Sequence, residues 1–511
     1  MTRSPAVPGP PVLIVPRQPR RRTLWSAGAL ALVLIAGYGA FHLTRDDPGC
    51  AEGVARMAGG ECVGVTDGSH AFPALRGISD RILAENRRVE ASGERSVTIA
   101  YLESMSGGIQ DRGPEGTVQA VTGAHLAQLA LNAERATLPR VRLLLANTGR
   151  DDAYADRVVD RLLSLRKKER LVAVAGIGQS DARTVAAVRA LRAAGVPTVG
   201  ATVAADEMRS KEPGFFRVSF PAGEQAAAAA RHFKREQDRR PGYRVQVVKD
   251  SKSGDSYAAS LYEGFRAAAD RLGLRVEATV PFTSGAAEGE GNALRVVAEK
   301  ICGDESPPDG VYFAARGREL RGFIEAAGEN RRRCPVTVLS GSSAVGVYFD
   351  TAHEKGAREL AELDNRWTAS GLRAFYTAYT HPSAAARLYG GRERGPFPDF
   401  ERRYLQIRGG SPRDLDNGQA MVGHDAVYTA GIAARRAVDS YGPDRVTAAT
   451  VLDLLGQTNG TYRVRGVSGR IAFAPDTGEP ADRPMALVEL IPPGVRGGDK
   501  GRYAFVRTLS P

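Results

Sequence analysis

The chain reads as an α/β protein: two doubly wound, Rossmann-like lobes joined by crossover strands and preceded by one transmembrane helix. Three observations predict this. First, the stretch LVAVAGIGQSDARTVAAVRALRAAGVPTVGAT (171–202) runs as apolar strand, polar loop, helix and second apolar strand, the pattern of a parallel pair. Second, such units run twice along the chain, with a break near 215–222. Third, the strand ends of the best-marked unit carry small hydrogen-bonding residues, Gln179, Ser180 and Thr202. In open α/β sheets those ends form the ligand crevice. No lysine, histidine or metal-ligand cluster sits there, which favours holding a small polar molecule over transforming one.

Taken in order, residues 1–22 are rich in Pro and Arg and contain no acid, and form a basic tail. Residues 23–43 (TLWSAGALALVLIAGYGAFHL) carry no formal charge and approach the ~20 residues needed to cross a bilayer. Arg20, Arg21 and Arg22 precede this run and Asp46 and Asp47 follow it, so the positive-inside rule leaves the tail cytoplasmic and the rest of the chain outside. An uncleaved anchor fits the length of the run. A cleaved signal peptide is the alternative, with Gly37-Tyr38-Gly39 as its small-x-small site. Residues 44–95 read as a stalk leading into the domain.

The first lobe is expected over 96–220 with about 376–460, and the second over 221–375 with about 461–511. Strand 96–102, helix 117–133, strand 140–146 and helix 153–165 lead into the 171–202 unit. The helix at 117–133 places Ala120, Ala124, Ala127 and Leu131 on one face, small enough for close packing on the sheet. After the crossover FFRVSFP (215–221), strands at 244–248, 275–280, 310–314 and 335–339 alternate with helices at 256–272, 293–301 and 319–327. Residues 372–379 are expected to return to the first lobe. Helices at 399–407, 418–441 and 446–456 and β-rich stretches at 462–475 and 485–490 complete the chain.

The net charge of +12 raises a nucleic-acid partner. Arg is spread through the whole chain and no homeodomain, zinc-finger or RNA-binding aromatic motif is present, so none is assigned. The four cysteines, Cys50, Cys62, Cys302 and Cys334, all follow the apolar run, and an oxidising compartment favours pairs. Cys50 and Cys62 bracket a short loop. Cys302 ends a helix and Cys334 precedes a strand, two places that share one edge of a parallel sheet. The pairs Cys50–Cys62 and Cys302–Cys334 follow, both structural. Without a CxxC or nearby His, no metal is assigned.

Several segments, in order, resemble the type I periplasmic substrate-binding proteins of ABC importers, the branched-chain amino-acid and amide-binding group. They are Val97 to Gly107 with Gly123-Ala124-His125-Leu126-Ala127, then GIGQSDARTV with GVPTVGATVAADEM, then FFRVSFPAGEQAAAAARHF, VVKDSKSGDSYAASLYEGF, DGVYFAARGREL, GHDAVYTAGIAARRAV and VSGRIAFAPDTGEP. The resemblance covers about residues 96–490. It implies two lobes that close on a ligand by hinge motion, no cofactor, no catalysis and a monomer serving an ABC permease. A receptor ectodomain of the same fold, coupled to a signalling partner, is the alternative.

The resemblance also implies site residues. Ser180 matches the serine that hydrogen-bonds a ligand carboxylate, and Gly200 and Thr202 match the loop holding amino and carboxylate groups. Tyr257 matches the aromatic cap from the second lobe, while Ser104 and Ser106 lie on the first loop. Three departures stand out. Ala258 follows Tyr257 where glycine is favoured. Ser343 stands where an acid often meets a ligand ammonium, and Arg316 where an aromatic is common. An arginine in the cleft favours a carboxylate or phosphate ligand. Arg217 is expected to form a salt bridge at the crossover, and His424-Asp425 to serve packing and capping. GIGQSD is not GxGxxG, and Gly341-Ser342-Ser343-Ala344-Val345-Gly346 is not a nucleophile elbow.

Overall fold

A computed structural model describes residues 50–511 apart from 108–112, 134–137, 210–212, 286–289, 304, 331, 352–355, 493, 495–500 and 510–511. The expected tail and anchor at 1–43 lie outside the described residues. Among the described residues no helix is long and apolar enough to cross a membrane.

The chain from Cys50 onward builds two seven-stranded sheets. The first contains β1 (Val54–Arg56), β2 (Cys62–Thr66), β3 (Ser96–Glu103), β4 (Arg140–Asn147), β5 (Leu171–Gly176), β6 (Thr198–Gly200) and β7 (Phe215–Arg217). Its spatial order is β1-β2-β4-β3-β5-β6-β7. The five strands from β4 to β7 are parallel, and β1 and β2 add an antiparallel hairpin on the β4 edge. The second sheet contains β8 (Val245–Asp250), β9 (Val280–Phe282), β10 (Gly310–Ala314), β11 (Thr337–Ser340) and β12 (Arg373–Ala378). After the separate hairpin β13 (Val464–Gly466) and β14 (Gly469–Ile471), β15 (Met485–Leu490) and β16 (Tyr503–Leu509) finish it as antiparallel strands beside β12.

Counted from its first parallel strand, each sheet has the order 2-1-3-4-5. That order reverses direction once, between the first and third strands, and opens a crevice at their carboxyl ends. The crevices lie between β3 and β5 in one lobe and between β8 and β10 in the other.

The helices are α1 (Arg76–Ser92), α2 (Gly113–Asn132), α3 (Ala155–Leu165), α4 (Ala182–Ala193), α5 (Ala222–Arg239), α6 (Ser256–Leu272), α7 (Glu290–Cys302), α8 (Gly317–Glu329), α9 (Gly356–Ser370), α10 (Pro382–Tyr389), α11 (Phe397–Arg408), α12 (Gln419–Tyr441) and α13 (Ala448–Gly456). The small-residue face read on α2 packs against α12 more than against the sheet. A Cβ on Gly123 would overlap the carbonyl oxygen of Ala420, and one on Gly423 would overlap that of Ala120. Two backbones therefore touch where side chains usually intervene.

Both cysteine pairs form, Cys50–Cys62 and Cys302–Cys334, with Cα atoms 6.0 and 5.0 Å apart. Three expectations need correcting. Residues 54–56 and 62–66, expected in a stalk, are sheet strands, because β2 pairs with β4 through Gly64, Val65 and Thr66. Residues 372–379 do not return to the first lobe. Arg373 to Tyr376 pair in parallel with Thr337 to Ser340 as the fifth strand of the second sheet. The strand expected at 275–280 sits instead at Val280–Phe282, where it pairs with the end of β8.

Candidate functional site

The crevice in the first lobe is built by loops that hold themselves rigid. After β3, the Met105 N–H donates to Asn147 Oδ1 (2.8 Å), and Asn147 Nδ2 donates to Ser106 Oγ (2.9 Å) and the Cys62 carbonyl (2.8 Å). One asparagine thus fixes the first loop and ties it to the disulfide-bonded hairpin. Ser104 is buried beside it. After β5 the backbone turns through Gly176 (φ 100°) and Ile177 (φ 57°). A β-branched residue in the left-handed region is costly and persists only where its surroundings hold it. Here the Ile177 N–H donates to the Leu102 carbonyl at 2.7 Å.

Ser180 Oγ accepts the N–H groups of Ala204 (2.8 Å) and Ala205 (3.1 Å), and Thr202 Oγ1 donates to the Gly178 carbonyl (2.8 Å). These two hydroxyls stitch the β5 and β6 loops together. Gly200 lies inside β6, and its carbonyl accepts from the Val218 N–H. It makes room for Arg217 and Val203.

In the second lobe Asp255 caps α6, accepting from the N–H groups of Tyr257 (3.1 Å) and Ala258 (3.0 Å). The same carboxylate grips Arg316, which follows β10. Nε donates to Oδ2 at 2.6 Å and Nη2 to Oδ1 at 2.9 Å. The Tyr257 ring lies 5.5 Å from the guanidinium carbon, and its hydroxyl accepts the Ser343 N–H at 3.0 Å. Gly317 and Gly341 permit this approach. A Cβ on the first would overlap the Ser343 carbonyl, and one on the second the Tyr257 hydroxyl.

Arg316 then crosses the cleft. Nη1 donates to Gln179 Oε1 (2.7 Å) and Nη2 to the Ser180 carbonyl (2.8 Å). One guanidinium therefore joins the two crevices, with its side chain 13% exposed and that of Asp255 4% exposed. Burial alone would push the Asp255 carboxyl up. The charge and hydrogen bonds of Arg316, helped by the Ala258 N–H, outweigh it and hold the group below the usual carboxylate range. Arg316 stays charged, since the Asp255 carboxylate overcomes its desolvation.

Of the residues singled out in the sequence, the structure joins Gln179, Ser180, Tyr257, Arg316 and Ser343 in one chain of contacts. Thr202 joins through the Gly178 carbonyl, while Ser104 and Ser106 lie on the neighbouring loop. Asp255 was missed as a site residue. Its signal was an acid one position before a helix start, which also reads as an ordinary cap.

Behind the cleft the chain passes three times between lobes. Arg217 in β7 makes the expected salt bridge, donating to both oxygens of Glu479 (2.6 and 2.7 Å) and to the Ala205 carbonyl (2.9 Å). Arg483 was missed. It lies on the passage into β15, and its guanidinium donates to the carbonyls of Val218 (2.9 Å) and Tyr379 (3.3 Å) on the other two passages and of Ser468 (3.1 Å) in the β13–β14 turn. His424 and Asp425 pair at 2.8 Å, and Asp425 also accepts the N–H groups of Val467 and Ser468 (both 2.8 Å). That pair caps the β13–β14 hairpin, as expected.

These features define a type I periplasmic binding protein fold: two 2-1-3-4-5 sheets with facing crevices, joined by three passages of the chain. No family model and no curated protein matches the chain. Solved structures do. A leucine-binding protein, LivK, from Thermotoga maritima is 19% identical over 81% of this chain and 99% of its own, with a TM-score of 0.58. LivJ, a branched-chain amino-acid transporter substrate-binding protein from Streptococcus pneumoniae in complex with isoleucine, is 17% identical over 77% and 96%, at 0.55. A solute-binding protein of an ABC transporter from R. palustris, in complex with benzoate, is 15% identical over 81% and 97%, at 0.56.

Proposed function

We propose that this chain is an extracytoplasmic solute-binding protein that captures a small carboxylate in the interlobe cleft and delivers it to an ABC importer, held at the membrane by residues 23–43. Arg316 carries the reading. It is a largely buried, permanently charged donor fork that contacts both crevices. Its two bonds to Asp255 hold it in the second lobe, while its bonds to the first lobe go to neutral acceptors, Gln179 Oε1 and the Ser180 carbonyl. A ligand carboxylate is a better acceptor than either, because both partners are then charged. It would replace them and leave the lobes joined through the ligand. On this reading Ser104, Ser106, the Ser180 hydroxyl proton, Thr202, Tyr257 and Ser343, carried by the loops around Arg316, would set the fit of the rest of the molecule. Gly200 contributes by packing.

This reading favours organic acids and amino acids alike, the ligand types held by the structural relatives. The importer reading rests on those relatives as well. The experiment is a thermal-shift series on the full chain with leucine, benzoate, 4-hydroxybenzoate and benzamide. A ligand at 100 times its Kd stabilises by about 2.7 kcal/mol. Carboxylates are expected to raise the midpoint, benzamide to leave it unchanged, and Arg316→Ala to abolish the response. Stabilisation by benzamide equal to that by benzoate would remove the basis of the proposal.

A further inference from the structure

We propose a second ligand site, for a phosphate-bearing anion, on the face formed by the β13–β14 hairpin and the loop between α10 and α11. A cavity of about 630 Å³ lies there, lined by Arg394, Arg463, Arg465 and Arg470 with Tyr389, and by no acidic side chain. Arg465 and Arg470 are directly opposed in the antiparallel register, so their side chains leave the hairpin on the same face. Like charges in that position repel and destabilise a hairpin. Arg463 is paired with Asp482. Among the described residues no carboxylate pairs with Arg394, Arg465 or Arg470.

The cavity has a fixed frame. Tyr389 donates its hydroxyl to the Gly466 carbonyl at 2.9 Å, and its ring lies 5.7 Å from the Arg465 guanidinium carbon. Ser468, at the turn of the same hairpin, is held by Asp425 and Arg483. Gly395 (φ 86°) brings the α10–α11 loop against the Tyr389 ring, where a Cβ would lie 2.7 Å from the ring carbons. Three uncompensated guanidinium forks on a rigid floor match a multivalent oxyanion with several acceptor oxygens, which a monocarboxylate lacks. A free phosphate compound and a phospholipid headgroup both present that chemistry. The site is separate from the Arg316 cleft, so it stands or falls independently of the carboxylate reading.

The test titrates the chain from Cys50 onward, a compact unit that contains both sheets and lacks the proposed anchor, with sodium pyrophosphate by calorimetry at low salt, and with phosphatidylcholine vesicles with and without phosphatidic acid by co-sedimentation. Pyrophosphate binding would identify a soluble source, and binding to the acidic vesicles alone a headgroup. Either should weaken at least about tenfold in Arg465→Ser/Arg470→Ser and fade with added salt, while Arg87→Ser on α1 leaves it intact. The double variant should also melt higher than the parent without anion, since the repulsion is gone, and lose that lead with pyrophosphate. Absence of binding to both probes, or equal binding by the double variant, overturns the proposal.

Discussion

Replacing Arg316 with methionine keeps an unbranched apolar stem and removes the guanidinium with its charge and donors. Two effects separate by location. Between lobes, the bonds to Gln179 Oε1 and the Ser180 carbonyl are lost. At roughly 1.5 kcal/mol each, the low end for bonds to a charged group, they amount to about 3 kcal/mol. That shifts the opening equilibrium on the order of 100-fold. Within the second lobe, Asp255 is left buried without its cation. Losing one member of a buried pair costs about 3–5 kcal/mol. Asp255 keeps the N–H groups of Tyr257 and Ala258, so a cost near the lower figure is expected. The readout is small-angle scattering for lobe separation together with urea unfolding for stability. Arg316→Met should enlarge the radius of gyration without ligand and lower the unfolding midpoint. Asp255→Asn should lower the midpoint while leaving the two interlobe bonds, so its lobes open less. If Arg316→Met leaves the scattering curve unchanged, the guanidinium does not hold the lobes together.

Further outcomes follow from other residues. Because Arg316 outweighs burial to depress the Asp255 carboxyl, its contribution is present above the ordinary aspartate value, about 4, and lost as pH falls through the lower folded value; urea unfolding against pH should show that loss only below about pH 4, and Asp255→Asn should remove it. Asp416 behaves oppositely. Burial raises it to about 7 despite Arg413 and Arg392, so its stabilising contribution is full below about pH 4 and lost as pH rises toward 7. Asp416→Asn should stabilise the protein at pH 8, by up to about 4 kcal/mol, with little effect at pH 4, measured by urea unfolding. Gly123→Val should cost roughly 3 kcal/mol or more by overpacking the α2–α12 contact, seen as a lower thermal midpoint. Removing Cys302–Cys334 should cost about 4 kcal/mol and Cys50–Cys62 about 3, from the lengths of the loops they close.

The parts legible in the sequence are those whose cause is local. The 171–202 unit shows itself through apolar runs and a glycine stop, and the Cys302–Cys334 pair through the place of each cysteine on its element. Residues 54–66 escaped because their partner in β4 lies some eighty residues on, and a three-residue strand carries no period of its own. Residues 372–379 misled because an apolar strand reads the same in either sheet. Ser180 and Thr202 were rightly placed at strand ends, yet composition cannot say whether a hydroxyl faces the cleft or the next loop. The Arg316 bridge to Gln179 and Ser180 spans more than 130 residues and exists only once both crevices face each other.

The three carbonyls gathered by Arg483 bear on how the chain survives damage. Each passage between lobes is held to the others through the buried Arg483 guanidinium, with Arg217 and Glu479 as a second tie, rather than through its own covalent continuity alone. A single protease cut in one passage would leave two intact connections and a cross-tie among the severed ends. The nicked protein should still run as one particle under native conditions and come apart only on unfolding. The same tie makes the passages poor places for inserted sequence, since lengthening one parts Arg483 from the Val218 or Tyr379 carbonyl.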